Sequence, residues 1–294
     1  RQDAGLPVMV WIPGGAFAFG AGQFQLYNGS RLAANGNVVV VNVTYRIGVF
    51  GGFELGSLGA GFDDNLCLRD QIAALEWVRD NIAAFGGDPD RVTVFGESAG
   101  ATSVLALLAS PAAHGLFGRA IAQSPALPLI ADRDTRAEQA QRLVADLGVT
   151  PAELKELPQR DLRRAAGREQ LRSVGTSPTL AYGLTHGTEL LPHHPVPAAR
   201  AGAVAPVPLI VGTNSHEASM FAWSRPPMLP TAAPLVDDYF TRVAPADRDR
   251  MLAAYPGYPR RRALVAFGSD VMFGAPTWAF ADAYSACAPT YVYR

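Results

Sequence analysis

The chain has 294 residues, of which 49% are hydrophobic and 17% are charged. This composition is typical of a folded globular protein and excludes a disordered or fibrous one. The formal net charge is −1, with no block of like charge, so nothing in the sequence indicates binding to nucleic acid or to an anionic membrane. Apolar runs all fall short of the ~18 residues that a membrane-spanning helix requires.

Six apolar runs predict β-strands. Their hydrophobicity is continuous and does not alternate with polar residues, which is typical of strands buried on both faces of a parallel sheet. We therefore predict a mostly parallel central sheet with helices on both faces. In chain order, the runs are VMVWI (8–12), NVVVVNV (37–43), RVTVF (91–95), RAIAQS (119–124), VPLIVG (207–212) and APTYVYR (288–294).

Helical patterns separate these strands. An apolar stripe with steps of three or four residues predicts a helix over 68–85, and the sequence FGGDP ends it. Residues 133–169 are helical in pattern and polar on one face. We predict one domain over 1–294, with cap or surface helices within about 125–200 and 225–285. Cys67 and Cys287 lack the spacing of a metal or disulfide framework, and we interpret them as reduced, buried thiols.

The sequence RVTVFGESAGATSV is the most informative stretch of the chain. It places Gly96-Glu97-Ser98-Ala99-Gly100 between a predicted strand and a predicted helix. A G-x-S-x-G sequence in this context forms a nucleophile elbow, in which glycines permit the sharp turn that exposes the serine hydroxyl. We predict that Ser98 is a nucleophile; a serine in an ordinary turn is the alternative.

A second glycine-rich stretch, WIPGGAFAFG, follows the first predicted strand. This is where α/β-hydrolases place further oxyanion donors. The backbone amides of Gly15 and Ala16, together with that of Ala99, are therefore candidates to stabilise the negative charge on an ester oxygen. A simple turn between strand and helix is the alternative.

Together these motifs resemble the type-B carboxylesterase family, which includes cholinesterases and bacterial para-nitrobenzyl esterases. The resemblance also covers VNVTYRIGVFGGF, DDNLCLRDQIAALEWVRDNIAAFGGDPDRVTVFGESAG and VPLIVGTNSHEASMF, in the family's order. It implies an α/β-hydrolase fold, hydrolysis of small-molecule carboxylic esters through an acyl-serine, and no cofactor or metal. Pro13, Ala16, Cys67, His216 and Ala218 depart from the usual residues of the family pattern.

The resemblance also implies roles for three polar residues. The sequence GTNSHEA matches the family's GTNxDEG turn, which identifies Glu217 as the acid of a catalytic triad; a solvated glutamate that caps a short helix is the alternative. Glu97 would lie beneath the serine and influence the charge of an imidazolium. Ser124 would supply a supporting hydroxyl. For Glu97 and Ser124, a buried polar group with satisfied hydrogen bonds is the alternative.

No histidine of the chain fits the role of the base. The sequence THGTEL resembles a histidine loop of the family, but His186 precedes Glu217, whereas the triad of α/β-hydrolases runs nucleophile, acid, histidine. We interpret His193 and His194 as an exposed loop, His114 as part of a helix-end loop, and His216 as diverging from its neighbour Glu217. The resemblance places the base beyond Arg294, so we interpret the chain as an internal portion of a longer esterase or as a decayed relative.

Two other functions remain open at this stage. A non-catalytic binding protein on the same fold is one, and an amide or lactone hydrolase is the other. We expect a cytoplasmic location, with secretion left open because the chain begins without Met. The sequence does not indicate an oligomeric state.

Overall fold

The computed structural model describes residues 4–176, 180–223, 229–243 and 245–294. Its β-strands, in chain order, are β1 (Leu6–Ile12), β2 (Val39–Asn42), β3 (Gly87–Glu97), β4 (Arg119–Gln123), β5 (Ile130–Asp132), β6 (Leu184–His186), β7 (Leu209–Gly212) and β8 (Thr290–Tyr293). Six of them form one parallel sheet in the order β2-β1-β3-β4-β7-β8, and β5 and β6 form a small separate sheet. The prediction of a mostly parallel central sheet is confirmed.

Helices surround this sheet. They are α1 (Ser30–Gly36), α2 (Leu66–Asn81), α3 (Ala99–Leu108), α4 (Arg133–Leu147), α5 (Gln159–Thr176), α6 (Pro195–Arg200), α7 (Ala233–Arg242), α8 (Arg248–Leu252), α9 (Arg261–Ser269) and α10 (Ala275–Tyr284). A π-helical turn, Asp270–Gly274, joins α9 to α10. The region 133–169 contains α4 and the first part of α5, in agreement with the helical pattern predicted there.

The main core lies between the sheet and the helices that contact it. Alternate residues of the central strands are fully buried, including Val8, Val10, Val92, Val94 and Ala122. Residues on the opposite face, such as Ile210 and Tyr291, are more exposed, and these two are partners in the pairing of β7 with β8. A second, smaller core joins α7, α8 and α9. The prediction of one domain with cap helices stays a prediction.

Two local predictions are corrected by the structure. Cys67 is buried as predicted, whereas Cys287 is only partly buried, and its Sγ lies 3.4 Å from the carbonyl oxygen of Ala199. The strand that leads to Ser98, β3, begins at Gly87, earlier than predicted, since Gly87 pairs with Leu6 of β1. Within the described ranges, we find no helix that combines the length and apolar character needed to cross a membrane.

Candidate active site

Ser98 lies at the sharp turn between β3 and α3. Its backbone angles are φ 55° and ψ −121°, a conformation that residues with a side chain rarely adopt. A Cβ atom at Gly96 would lie 2.7 Å from the carbonyl oxygen of Ile12, and one at Gly100 would lie 2.0 Å from the same oxygen. Both positions therefore require glycine, because the turn is packed directly against the end of β1.

Two hydrogen bonds fix this turn in the sheet and the helix. The N–H of Ser98 donates to the carbonyl of Gln123 at 2.9 Å, which ties the turn to β4. The carbonyl of Ser98 accepts from the N–H of Thr102 at 2.8 Å, which begins α3. The first amides of α3 point away from the helix and carry its partial positive charge, so this location favours a developing oxyanion.

The glycine-rich loop, residues 13–20, lies beside Ser98. A Cβ atom at Gly14 would be 3.2 Å from the Cβ of Ser98. Gly15, Ala16 and Phe17 have φ values of 120°, 52° and 55° in succession. The amides of Gly15, Ala16 and Ala99 donate to no acceptor in the described part of the chain. Three predicted donor residues are thus brought close to the predicted nucleophile, with their N–H groups unused.

Glu217 is held in the turn that follows β7. The N–H of Asn214 donates to its Oε1 at 2.7 Å, and the Asn214 side-chain amide lies 3.4 Å from its Oε2. The same Asn214 amide lies 3.4 Å from the hydroxyl of Ser124. The N–H of Ala218 donates to the hydroxyl of Ser269 at 2.9 Å, so α9 also holds the turn. Asn214 therefore links the predicted acid to the predicted supporting serine.

Sequence reasoning missed Asn214. The signal was present, because an Asn three residues before a Glu at the start of a helical turn is similar to a capping box, in which the carboxylate reaches back to a backbone N–H. Ser124 itself is buried and has a φ of 53°. Its N–H donates to the carbonyl of Gly212 at 2.7 Å.

Glu97 lies close to the glycine-rich loop and to Glu217. A Cβ atom at Gly14 would be 2.8 Å from its Oε2. The residue as a whole is exposed, yet enough protein surrounds the carboxyl group for burial to raise its pKa, and the charge of Glu217 raises it further. The carboxyl groups of Glu97 and Glu217 are therefore close enough to interact.

The strand order explains why these residues meet. Ser98 follows β3, Ser124 follows β4 and the Glu217 turn follows β7, and these three strands are adjacent and parallel. Their carboxyl ends share one edge of the sheet. Neighbouring strands are about 4.8 Å apart, so β3 and β7 are separated by roughly 10 Å. An imidazole that accepts from Ser98 and donates to Glu217 would span such a gap.

Two of the five histidines, His114 and His216, lie apart from the other three. His114 contacts the carbonyl of Leu108 at 3.3 Å, at the end of α3 opposite Ser98. A ten-residue helix is about 15 Å long, so His114 is remote from the nucleophile. His216 is exposed beside Glu217; its backbone carbonyl accepts from the N–H of Ser219 at 3.1 Å, and its ring forms no hydrogen bond with another described residue.

The remaining three histidines cluster around the small sheet. His186 ends β6 and pairs in register with Asp132 of β5. The rings of His186 and His194 meet edge to face at a centroid distance of 5.8 Å. His194 is not in an exposed loop as predicted: it is partly buried and caps α6, where its Nδ1 accepts from the N–H of Val196 at 3.4 Å. His193 is exposed as predicted.

The environment of His194 and His186 favours their neutral forms. Burial lowers the pKa of His194 to about 4, although a hydrogen bond to the backbone of Leu127 acts in the opposite direction. Burial also lowers the pKa of His186, against the charge of Asp132. In the described residues, no group of three or more His, Cys, Asp or Glu side chains is arranged to hold a metal ion.

Aromatic side chains near the site divide into buried and exposed ones. Phe17 is fully buried in the main core. Phe19 is 63% exposed and its ring lies against Gly15. Trp223 is 73% exposed, and the guanidinium of Arg261 lies 3.6 Å from its ring centroid. Of the two phenylalanines within the glycine-rich loop, Phe19 is therefore the one with an exposed ring.

Comparison with known proteins places this geometry in a family. The model of the carboxylesterase family matches residues 1–294. The chain is 40% identical to para-nitrobenzyl esterase of Bacillus subtilis (strain 168), over 98% of the chain and 59% of that enzyme. It is 42% identical to human cocaine esterase over 78% of the chain and 39% of that enzyme.

Solved structures agree with the sequence comparison. A PNB esterase superposes with a TM-score of 0.89 at 38% identity, covering 100% of this chain and 63% of that one. A Geobacillus stearothermophilus carboxylesterase, EST55, superposes with a TM-score of 0.86 at 36% identity, covering 99% of this chain and 62% of that one. The predicted α/β-hydrolase fold is confirmed, and the chain spans about three fifths of the length of these two structures and of the Bacillus enzyme. The chain belongs to the carboxylesterase family.

Proposed function

We propose that this chain carries the nucleophile, the oxyanion donors and the acid of a serine esterase that hydrolyses small carboxylic esters. The observation that carries the proposal is the strained turn at Ser98, packed between the unused amides of the glycine-rich loop and the sheet edge that bears Glu217. A strained backbone persists only where the surrounding structure enforces it, and it is concentrated at functional sites.

In the proposed reaction, Oγ of Ser98 attacks the carbonyl carbon of the ester while a histidine accepts the hydroxyl proton. The carbonyl oxygen becomes negatively charged and accepts hydrogen bonds from the amides of Gly15, Ala16 and Ala99. The alcohol leaves with the proton from the imidazolium. A water molecule, deprotonated by the same histidine, then hydrolyses the acyl-serine and restores Ser98.

Glu217 orients that histidine and stabilises its charged form in this proposal. Asn214 limits the movement of the carboxylate through its two contacts with it. Glu97, whose carboxyl group interacts with that of Glu217, adds negative potential near the imidazolium.

The histidine itself is proposed to come from polypeptide beyond Arg294. Two observations support this source. β8 pairs with β7 in register, Gly212 with Tyr293, so the chain leaves β8 at the edge that bears Glu217. The relatives are also longer than this chain, which covers 59% of the Bacillus enzyme. His186, the candidate within the chain, instead lies on the small sheet beside Asp132.

The proposal is tested by covalent labelling of a polypeptide that extends past Arg294. A fluorophosphonate should add to Ser98, identified by mass spectrometry of the peptide over 91–100, and p-nitrophenyl acetate hydrolysis should be lost in proportion. The Ser98→Ala variant should show neither labelling nor turnover. An unlabelled Ser98 in a folded protein would contradict the proposal and favour a non-catalytic binding function on the same fold.

A further inference from the structure

The glycine-rich loop has a conformation that its own residues do not favour. Ala16 and Phe17 both have positive φ values, 52° and 55°, and L-amino acids with a Cβ avoid this region of backbone space. Hydrogen bonds within the loop are few: the N–H groups of Ala18 and Phe19 share the carbonyl of Gly15. Contacts from outside must therefore hold the loop in place.

Tyr45 provides one such contact. Its hydroxyl donates to the carbonyl of Pro13 at 2.6 Å, directly before the two glycines. The side chain is buried, with 6% of its surface exposed, and burial raises the pKa of the phenol. The hydroxyl therefore keeps its proton and remains a donor. The bond fixes the carbonyl end of the peptide unit that leads into Gly14.

The segment that contains Tyr45 makes a second contact with the loop. The N–H of Gly48 donates to the carbonyl of Phe17 at 2.7 Å. The glycine-rich loop is thus held on both sides of Gly15 and Ala16 by one neighbouring segment, residues 45–48.

This segment is itself anchored to helix α2. Asp70 of α2 accepts three hydrogen bonds from Arg46: one from the backbone N–H at 2.9 Å, one from Nε at 2.8 Å and one from the guanidinium NH₂ at 2.6 Å. Bonds from a forked guanidinium to a carboxylate fix geometry as well as distance. A continuous series of contacts therefore leads from α2 through residues 45–48 to the loop.

We propose that Tyr45 is a positioning residue: its hydroxyl holds the glycine-rich loop so that the amides of Gly15 and Ala16 face the carbonyl oxygen of the substrate. The proposal rests on the esterase function proposed above. Oxyanion donors stabilise the transition state more than the bound substrate, so a displaced loop lowers kcat more than it changes KM.

The first test measures the loop directly and does not depend on activity. In the 294-residue chain, Tyr45→Phe should increase hydrogen exchange in peptides covering 13–20 by about tenfold. Tyr284→Phe is the matched control, since its hydroxyl is also buried and donates to a backbone carbonyl, that of Ala205, at 2.6 Å. The control should leave exchange over 13–20 unchanged. Equal exchange in both variants would overturn the proposal.

The second test uses the longer polypeptide with its proposed histidine. Tyr45→Phe should lower kcat for p-nitrophenyl acetate by about 10–100-fold, as expected for a misplaced donor, with KM within twofold. Affinity for a phenyl trifluoromethyl ketone, which forms a tetrahedral adduct, should fall by the same factor as kcat. A variant with a lowered melting temperature but unchanged kcat and ketone affinity would show a purely structural role and overturn the proposal.

A milder pair of variants covers the case in which Tyr45→Phe does not fold. Asp70→Asn should lower kcat about threefold, because it weakens the anchor of Arg46. Asp80→Asn, which alters an exposed pair with Arg79 at 2.7 Å on the same helix, should have no effect. Equal kcat in these two variants would also overturn the proposal. A parent enzyme without any turnover would instead contradict the esterase function, and the exchange test would still report on Tyr45.

Discussion

Gly14 lies where three parts of the site meet. A Cβ atom there would be 2.6 Å from the carbonyl oxygen of Glu97, 2.8 Å from its Oε2 and 3.2 Å from the Cβ of Ser98. Distances below 3.0 Å require atoms to move, and two of the three neighbours belong to the backbone or the nucleophile. We predict that Gly14→Ala displaces the glycine-rich loop from Ser98 and lowers esterase turnover about 100-fold.

Gly167 provides the matched control for this substitution. It lies inside α5, and a Cβ atom there would contact nothing within 4 Å. Gly167→Ala should leave turnover unchanged and raise the free energy of unfolding by about 0.5–1 kcal/mol, because alanine loses less backbone entropy in a helix. Turnover that is equal in the two variants would show that Gly14 tolerates a methyl group.

A substitution at His186 tests which histidine is the catalytic base. Its ring lies near Asp132 and His194 on the small sheet, and burial lowers its pKa. We predict that His186→Ala leaves the rate of p-nitrophenyl acetate hydrolysis within about threefold of the parent, since loss of a true triad histidine costs on the order of 10⁶ in kcat. Loss of activity in this variant would identify His186 as the catalytic base.

At the scale of elements, helix α6 begins on a titratable cap. His194 accepts a hydrogen bond from Val196 through Nδ1, which only the neutral ring can do. Its pKa in the folded chain is about 4, below the ordinary value of about 6.5. The contribution of this group to stability is therefore present above pH 6.5 and is lost as the pH falls through 4, and it amounts to at most about 3 kcal/mol.

The corresponding prediction compares two neighbouring histidines. His194→Asn should flatten the decline in the free energy of unfolding between pH 6.5 and 4, because asparagine caps a helix without titrating. His193→Asn should leave the decline unchanged, since His193 is exposed. Urea unfolding at a series of pH values measures both. Parallel pH profiles for the two variants would argue that His194 does not contribute.

The elements differ in how well the sequence predicted them. β1, β3 and β4 carry continuous apolar runs, and a buried parallel strand is the structure that such a run favours. β5 and β6 have only three residues each, which is too short for a recognisable pattern. The cap at His194 was hidden because prolines flank it, and prolines usually mark a loop. The positions of these short elements depend on tertiary contacts, which the local sequence does not encode.

At the scale of the whole molecule, order along the chain and order in the sheet differ. β1 lies between β2 and β3, and β4 is followed in the sheet directly by β7. The elbow at Ser98 and the loop at Gly15 could be predicted because each depends on a local glycine pattern. The contacts of Asn214 with Ser124 and of Tyr45 with Pro13 join residues that are 90 and 32 positions apart, and only the fold brings them together.

The proposed origin of the histidine gives a prediction for the chain as a whole. The 294-residue chain should hydrolyse p-nitrophenyl acetate on the order of 10³ to 10⁶ times more slowly than a polypeptide that extends past Arg294, since only oxyanion stabilisation and binding would remain. Steady-state rates at equal active-site concentration test this. Comparable rates in the two proteins would contradict an external histidine.

The left-handed turn at Ser98 also has a thermodynamic consequence. A residue with a Cβ held at a φ of 55° costs about 1–3 kcal/mol, and glycine avoids most of this cost. Ser98→Gly should therefore melt about 2–4 °C above Ser98→Ala in a scanning calorimeter, with both variants inactive. The β-carbon that carries the hydroxyl would then lower the stability of the folded protein, and the inactive glycine variant would be the more stable of the two.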